Sequence, residues 1–329
     1  MTIANQTVLV TGAGGFIGSH LTEAVVRAGA RTRALVHYNS RQSIGHLRHL
    51  PSEVRANLEI IFGDIRDPLL VHEACKSCDI VFHLAALIGI PYSYAAPESY
   101  LQTNIQGTLN VLNACRAQQV ARLLHTSTSE VYGTPQQVPI DESHRLFAQS
   151  PYAATKIAAD QLALSYHASF DLPVVVARPF NTYGPRQSLR AVIPTIIAQA
   201  LAGDMISLGS TSTVRDFLFV SDNVAGYLAA ANAENVLGEV IQLGTGIGHS
   251  IAHIVQAVGK IVARPLAIRA DSERTRPNRS EVERLVCSPA KAKSLLGWQP
   301  EVDFEAGLQQ TFDWIDAHRD DYAADRYVT

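Results

Sequence analysis

No run of apolar residues approaches the ~20 needed to span a bilayer, and charge of either sign is sparse, 17% in all with a net value of -3. The first absence argues against a membrane span. The second, with the lack of any basic block, argues against a nucleic-acid or membrane surface, so an anionic partner would need local cations. The N-terminus has no charged segment leading into an apolar stretch. Val8-Leu9-Val10 runs straight into glycines, which reads as a first strand and not as a leader. Cysteine is also scarce: Cys75, Cys78, Cys115 and Cys287. Cys75 and Cys78 have C-x-x-C spacing, but there is no second pair and no strand before them. They are expected as reduced thiols of a cytoplasmic protein, closing a helix ahead of a strand at 80–82. There is no internal repeat. What remains is a hydrophobic share of 47% over 329 residues, enough for one large domain or two unequal ones.

The first half alternates short β-rich runs (7–10, 32–36, 58–62, 80–84, 123–126, 174–177) with helical stretches near 15–28, 69–75, 99–118 and 151–170. That alternation predicts a doubly wound parallel sheet, and continuous apolar runs such as Val174-Val175-Val176-Ala177 predict burial on both faces. After Arg178 the pattern weakens. Prolines and glycines crowd 179–186, a helix is expected at 193–202, and an apolar strand at 240–243 returns to the main sheet.

Between the first strand and first helix stands Gly12-Ala13-Gly14-Gly15-Phe16-Ile17-Gly18. Glycines 12, 15 and 18 allow a tight turn and let backbone amides, through Phe16 and Ile17, approach a pyrophosphate at a helix N-terminus. The expected fold class is therefore α/β, a Rossmann doubly wound parallel sheet with a smaller interleaved C-terminal α/β substrate domain. Residues 1–180 plus about 216–246 are expected to form the NAD(P)-binding part, and about 181–215 plus 247–329 the substrate-binding part. An NAD site usually has an acid about 20 residues beyond the loop. Here the second strand ends in His37-Tyr38-Asn39-Ser40-Arg41 with no acid, and Asn39, Ser40 and Arg41 suit a 2′-phosphate. The cofactor is thus NAD or NADP, with NADP favoured. Asp64 and Ile65, after the third strand, fit an adenine-side loop; the competing reading of that stretch is a helix cap at Asp67-Pro68.

Ser150-Pro151 is a natural helix start, and it places Tyr152 and Lys156 one turn apart on one face. An ammonium beside a phenol, with oxidised nicotinamide nearby, favours a phenolate that can take the proton of a sugar hydroxyl. With these residues the chain resembles the extended short-chain dehydrogenase/reductase family in its nucleotide-sugar branch. The resemblance extends through His83-Leu84-Ala85-Ala86, Asn104, Arg178–Arg186 and Leu295-Leu296-Gly297-Trp298. It implies that Leu84, Ala85, Ala86, Asn104, Thr126, Ser127 and Pro179 line the cofactor. It also implies that Asn181, Arg215 and Arg276 hold the sugar diphosphate, chemistry suited to guanidinium forks, with Arg186 and Val192 also among the substrate-binding residues. Such proteins commonly dimerise through a four-helix bundle, here the helices near 99–118 and 151–170.

Which reaction follows depends on Thr128-Ser129-Glu130. Thr128 fits a bond to the substrate hydroxyl. A carboxylate at position 130 is expected of 4,6-dehydratases and not of 4-epimerases. A C4 ketone acidifies the C5 proton, and Glu130 would remove it while an acid assists loss of the C6 hydroxyl. Ser129 stands where glucose dehydratases have Asp, which leaves the acid open between Glu130 itself and a relay through Ser129 or water. The stretches 86–100, 190–195 and 276–285, with Tyr92 and Ser93 beside the sugar, look like the N-acetylglucosamine 4,6-dehydratases of legionaminic acid pathways. The reading is a UDP- or GDP-N-acetylglucosamine 4,6-dehydratase. Alternatives are a 4-epimerase, a 5,6-dehydratase, a UDP-glucuronate decarboxylase or, in a different class, a non-catalytic NAD(P) sensor.

Overall fold

The computed structural model describes residues 2–274 and 277–322. Six strands alternate with helices as the sequence pattern predicts: β1 (Thr7–Thr11), β2 (Arg31–His37), β3 (Leu58–Gly63), β4 (Ile80–His83), β5 (Arg122–Thr126) and β6 (Val174–Pro179). Seven further strands follow: β7 (Asn181–Tyr183), β8 (Met205–Leu208), β9 (Val214–Phe219), β10 (Val240–Leu243), β11 (Gly248–Ser250), β12 (Ala267–Ala270) and β13 (Arg284–Leu285). The main sheet is parallel throughout, in the order β10-β6-β5-β4-β1-β2-β3. This is the doubly wound arrangement, and β10 does return to it.

Both faces of the sheet are covered. Val8, Val10 and Phe82 point into a core shared with the helices Phe16–Arg27 and Val220–Asn232, whereas Leu9, Val81 and Val174 pack under Gly107–Ala117 and Pro151–Phe170. Burial on two faces is why these strands read as unbroken apolar runs. The cysteines at 75, 78 and 115 lie within the second core as free thiols, and Cys75 closes the helix Pro68–Ala74 before β4.

The smaller unit has its own core. Helices Val192–Ala202, Ile251–Ile261 and Phe304–Ala317 pack around Phe217, Phe219 and Tyr183. Its sheet runs β11-β9-β13, with β7 also pairing with β9. The β9 strand belongs to this sheet, and only with the helix Val220–Asn232 does the chain return to the large one. The stretch expected as one helix near 99–118 is divided: Pro97–Tyr100, a π-helical segment Leu101–Gln106, then Gly107–Ala117. Among the described residues no helix is long and apolar enough to cross a membrane.

Candidate active site

The glycine loop turns sharply between β1 and the helix Phe16–Arg27. Gly12 has φ +72°, and a Cβ there would stand 2.8 Å from the Ala85 backbone nitrogen. A Cβ at Gly18 would run into the Gly12 carbonyl. Chain packing alone therefore requires these two glycines. What points to a ligand is the helix start: Gly15 is its N-cap, no side chain caps it, and its first turn carries no acid. The first-turn amides, including those of Phe16 and Ile17, lack intrahelical acceptors and suit a pyrophosphate.

Around that loop the residues expected to line the cofactor are tied together by Thr11 and Asn104. The Thr11 hydroxyl oxygen accepts from the Leu84 and Ala85 amides, both at 3.2 Å, fixing the turn that leads into Ala86. Asn104, carried on the π-helical segment, accepts from Leu87 N at 2.8 Å and donates to Leu87 O at 2.9 Å and to Thr155 Oγ1 at 3.0 Å. It clamps the loop after β4 to the helix that bears Tyr152. At the far end, Asn39 uses its carboxamide within its own loop, bonding His37 O and Ser43. Ser40 and Arg41 stay exposed. Asp64 is bound by Arg66 at 2.5 Å, and that contact lowers its carboxyl below the ordinary value. Ile65 is buried against Gly107, and Pro179 ends β6 in the core.

The catalytic helix Pro151–Phe170 begins as its sequence suggests, with Ser150 Oγ accepting from Ala153 N. Tyr152 is 7% exposed, packs edge-on against Tyr100, and lies near Thr128. Lys156 Nζ donates to Thr126 O at 2.5 Å, and Thr126 Oγ1 accepts from Tyr227 at 2.9 Å. Burial raises the Tyr152 phenol above its ordinary value and lowers the Lys156 ammonium to about 8. Thr128 caps the short 3-10 turn Ser129–Tyr132, its hydroxyl accepting from Glu130 N. Ser129 is buried. Glu130 is half-buried, close enough to Tyr152 to act on its charge, and its carboxylate has no ion-pair or hydrogen-bond partner among the described residues.

The substrate-side residues divide. Tyr92, 42% exposed, stands 6.1 Å from the Tyr100 ring. Asn181 Oδ1 is buried without a partner, and Arg215 is buried on β9 beside Glu281 at 3.4 Å. Val192 opens the helix Val192–Ala202. Ser93 and Arg186 are engaged otherwise. Ser93 donates to Ile90 O within its own helix, and Arg186 pairs with Glu23 of the glycine-loop helix at 3.0 Å. Arg276 lies outside the described residues.

Sequence reasoning passed over the polar residues below this floor. Asp160, one turn beyond Lys156, accepts from Ser127 Oγ (2.5 Å), Arg178 Nη2 (2.8 Å) and His125 Nε2 (3.2 Å, in the tautomer that donates there). The Ser127 hydroxyl thus points beneath the site. The i, i+4 spacing of Lys156 and Asp160 on a buried helix face was the available signal.

The description "GDP-mannose 4,6 dehydratase" belongs to the family model that matches residues 9–311. The chain is 33% identical to low-salt glycan biosynthesis protein Agl12 of Haloferax volcanii, over 93% of this chain and 97% of that one. It is 33% identical to dTDP-glucose 4,6-dehydratase of Xanthomonas campestris, over 94% and 92%. A UDP-N-acetyl-alpha-D-glucosaminuronate decarboxylase of Bacillus cytotoxicus is 32% identical, over 93% and 97%. Among solved structures, UDP-glucuronic acid 4-epimerase of Bacillus cereus, in complex with UDP-glucuronic acid and NAD, superposes with TM-score 0.86 at 29% identity, covering 95% of this chain and 99% of that one. The dTDP-glucose 4,6-dehydratase DesIV of Streptomyces venezuelae, with NAD bound, gives 0.84 at 28%, covering 95% and 98%. With the glycine loop, the Tyr152–Lys156 pair and a family match over nearly its whole length, the chain belongs to the nucleotide-sugar 4,6-dehydratase family of extended short-chain dehydrogenase/reductases.

Proposed function

We propose that this protein is an NDP-N-acetylglucosamine 4,6-dehydratase, acting on the UDP- or GDP-linked sugar. The observation that carries the reading is Glu130: a carboxylate with no ion pair among the described residues, on the turn that Thr128 caps and near enough to Tyr152 to act on its charge. Tyr152, with Thr128, would take the C4 hydroxyl proton, and Lys156 would supply positive charge beneath it. A nicotinamide held there would supply reversible hydride acceptance, from C4 and back to C6. Glu130 would remove the C5 proton of the ketone, the C6 hydroxyl would leave as water after protonation by Glu130 or through Ser129, and C5 would regain a proton. Cofactor and protein end unchanged. Gly12, Gly15 and Gly18 with Leu84–Ala86 would hold the dinucleotide, and Asn181 and Arg215 the diphosphate.

NADP is favoured by the missing acid on β2 and by exposed Ser40 and Arg41; the NAD bound in related structures weighs toward NAD. Mass spectrometry of cofactor released from the purified protein decides between them. A cytoplasmic homodimer through Gly107–Ala117 and Pro151–Phe170 is part of the proposal, and light scattering tests the dimer.

The epimerase reading is favoured by the fit to the Bacillus cereus enzyme. Incubation with UDP- and GDP-N-acetylglucosamine in deuterated water separates the two. Water loss, a C4 ketone and deuterium at C5 support the dehydratase and name the nucleotide. A C4 epimer without water loss makes the protein an epimerase. In the dehydratase, Glu130→Gln should still oxidise C4 but lose C5 exchange by about 10²–10⁴-fold, and full activity of that variant would remove Glu130 from the mechanism.

A further inference from the structure

Because the Glu130 carboxylate has no partner among the described residues, its aim is set by the backbone turn that carries it. That turn is fastened from below. At its start, Ser127 Oγ donates to Asp160 at 2.5 Å and accepts from Arg178 Nε at 3.2 Å. At its end, the Tyr132 hydroxyl accepts from Arg178 Nη1 at 2.7 Å and from Gln242 Nε2 at 2.5 Å. Arg178 Nη2 closes the triangle on Asp160 at 2.8 Å. One guanidinium therefore joins both ends of the segment 127–132 to the helix bearing Tyr152 and Lys156. Every member is closed to solvent: Asp160, Tyr132 and Gln242 are 0% exposed and Arg178 2%. Gln242 brings in β10, and its Oε1 accepts from Cys287 Sγ at 3.3 Å.

Tyr152 and Lys156 have separate attachments. Both sit on a regular helix, and Lys156 bonds Thr126 O, outside the Ser129–Tyr132 turn. The Tyr132 hydroxyl takes no part in that bond; it holds the end of the turn that carries Glu130. We propose that Tyr132 and Arg178 are positioning residues that set the Ser129–Tyr132 turn for the steps at C5 and C6, leaving the first oxidation at C4 to Tyr152 and Lys156. This inference rests on the dehydratase reading.

Tyr132→Phe removes only the hydroxyl, and Gln242→Met removes one of its two donors. The probe is whichever of UDP-N-acetylglucosamine, GDP-N-acetylglucosamine and dTDP-glucose the wild-type protein dehydrates. C5 deuterium exchange is measured alongside single-turnover reduction of the bound nicotinamide. A misplacement of the carboxylate by about 1 Å should slow exchange about 10- to 100-fold in Tyr132→Phe, and less in Gln242→Met. Nicotinamide reduction should stay within about threefold, well inside that loss. Equal losses in both steps, or no loss of exchange in either variant, overturn the inference. Wild-type protein that turns sugar nucleotide over without any C5 exchange overturns the dehydratase reading and the inference with it. Glu130→Gln in parallel tests only the identity of the base: if it keeps exchange while Tyr132→Phe loses it, the turn is positioned as proposed and another group on it does the work.

Discussion

A phenol and an ammonium buried side by side are both pushed toward neutrality, and Tyr152 and Lys156 show this: the phenol is raised, and the ammonium is lowered to about 8. Against that, Asp160 holds the lysine charged; its own carboxyl is kept at about 2 by His125, Arg178 and Lys156 despite burial. Asp160→Asn should therefore act twice. Arg178 loses its buried counter-charge, at a cost of about 3–5 kcal/mol, read as a lower denaturant midpoint. Lys156 loses the carboxylate that favours its protonated form, so it gives up its proton at lower pH. The alkaline fall of nicotinamide reduction should then move below the wild-type position, whereas a purely structural role for Asp160 would lower stability and leave the pH profile in place. Tyr152→Phe should keep the fold and lose C4 oxidation by about 10²–10⁴-fold, measured as nicotinamide reduction in one turnover.

Elements bring those residues together, and the sequence showed the elements unevenly. Strands β1, β4 and β6 were legible because burial on both faces makes continuous apolar runs, and the helix bearing Tyr152 and Lys156 because Ser150-Pro151 marks its start. The β9 strand was not: Val214-Arg215-Asp216-Phe217 puts two charged residues in a strand, and they are buried only because Glu281, Thr245 and the Gly246 and Cys287 amides, distant in sequence, receive them. In the site, local spacing disclosed Tyr152, Lys156 and the glycine loop. The engagements of Ser93, Asn39 and Arg186 depend on which way a side chain turns, which residue type does not tell. The π-helical segment was equally hidden, and it carries Asn104 to both polar groups of Leu87. Asn104→Ala should leave those two groups and Thr155 short of partners, costing about 1–3 kcal/mol, and should loosen the loop 84–87 along the cofactor. The expected result is about tenfold faster loss of NAD(P) on dialysis at equal occupancy. Unchanged retention would confine Asn104 to stability.

At the scale of the whole molecule, every histidine whose titration the fold resolvably shifts is shifted the same way. Burial is the leading cause of lowering at His20, His46, His49, His83, His125 and His249, and it brings His20 and His46 to about 4. Below pH 6.5 the unfolded chain takes up protons that the folded chain refuses, so stability falls as pH falls. For His20 and His46 the contribution is complete above 6.5 and is lost progressively down to about 4. Each of these two adds a slope of at most about 1.4 kcal/mol per pH unit within that window. Asp216 and Asp222, raised by burial, act in the opposite sense nearer the carboxylate range, so the histidine slope is clearest just below neutrality. Three of these rings crowd where the two cores meet: His20 bonds Pro185 O, His46 stacks on His49, and His49 meets Trp314 of the helix Phe304–Ala317 edge-on. Acid should thus loosen that helix against the nucleotide-binding core before the large sheet gives way. The urea midpoint should drop from pH 7 to pH 5, with Trp314 fluorescence changing ahead of the far-ultraviolet circular dichroism. The His20→Gln, His46→Gln double variant should show a shallower slope, and an unchanged slope in that variant would transfer the acid sensitivity to His83 and His125 in the main core.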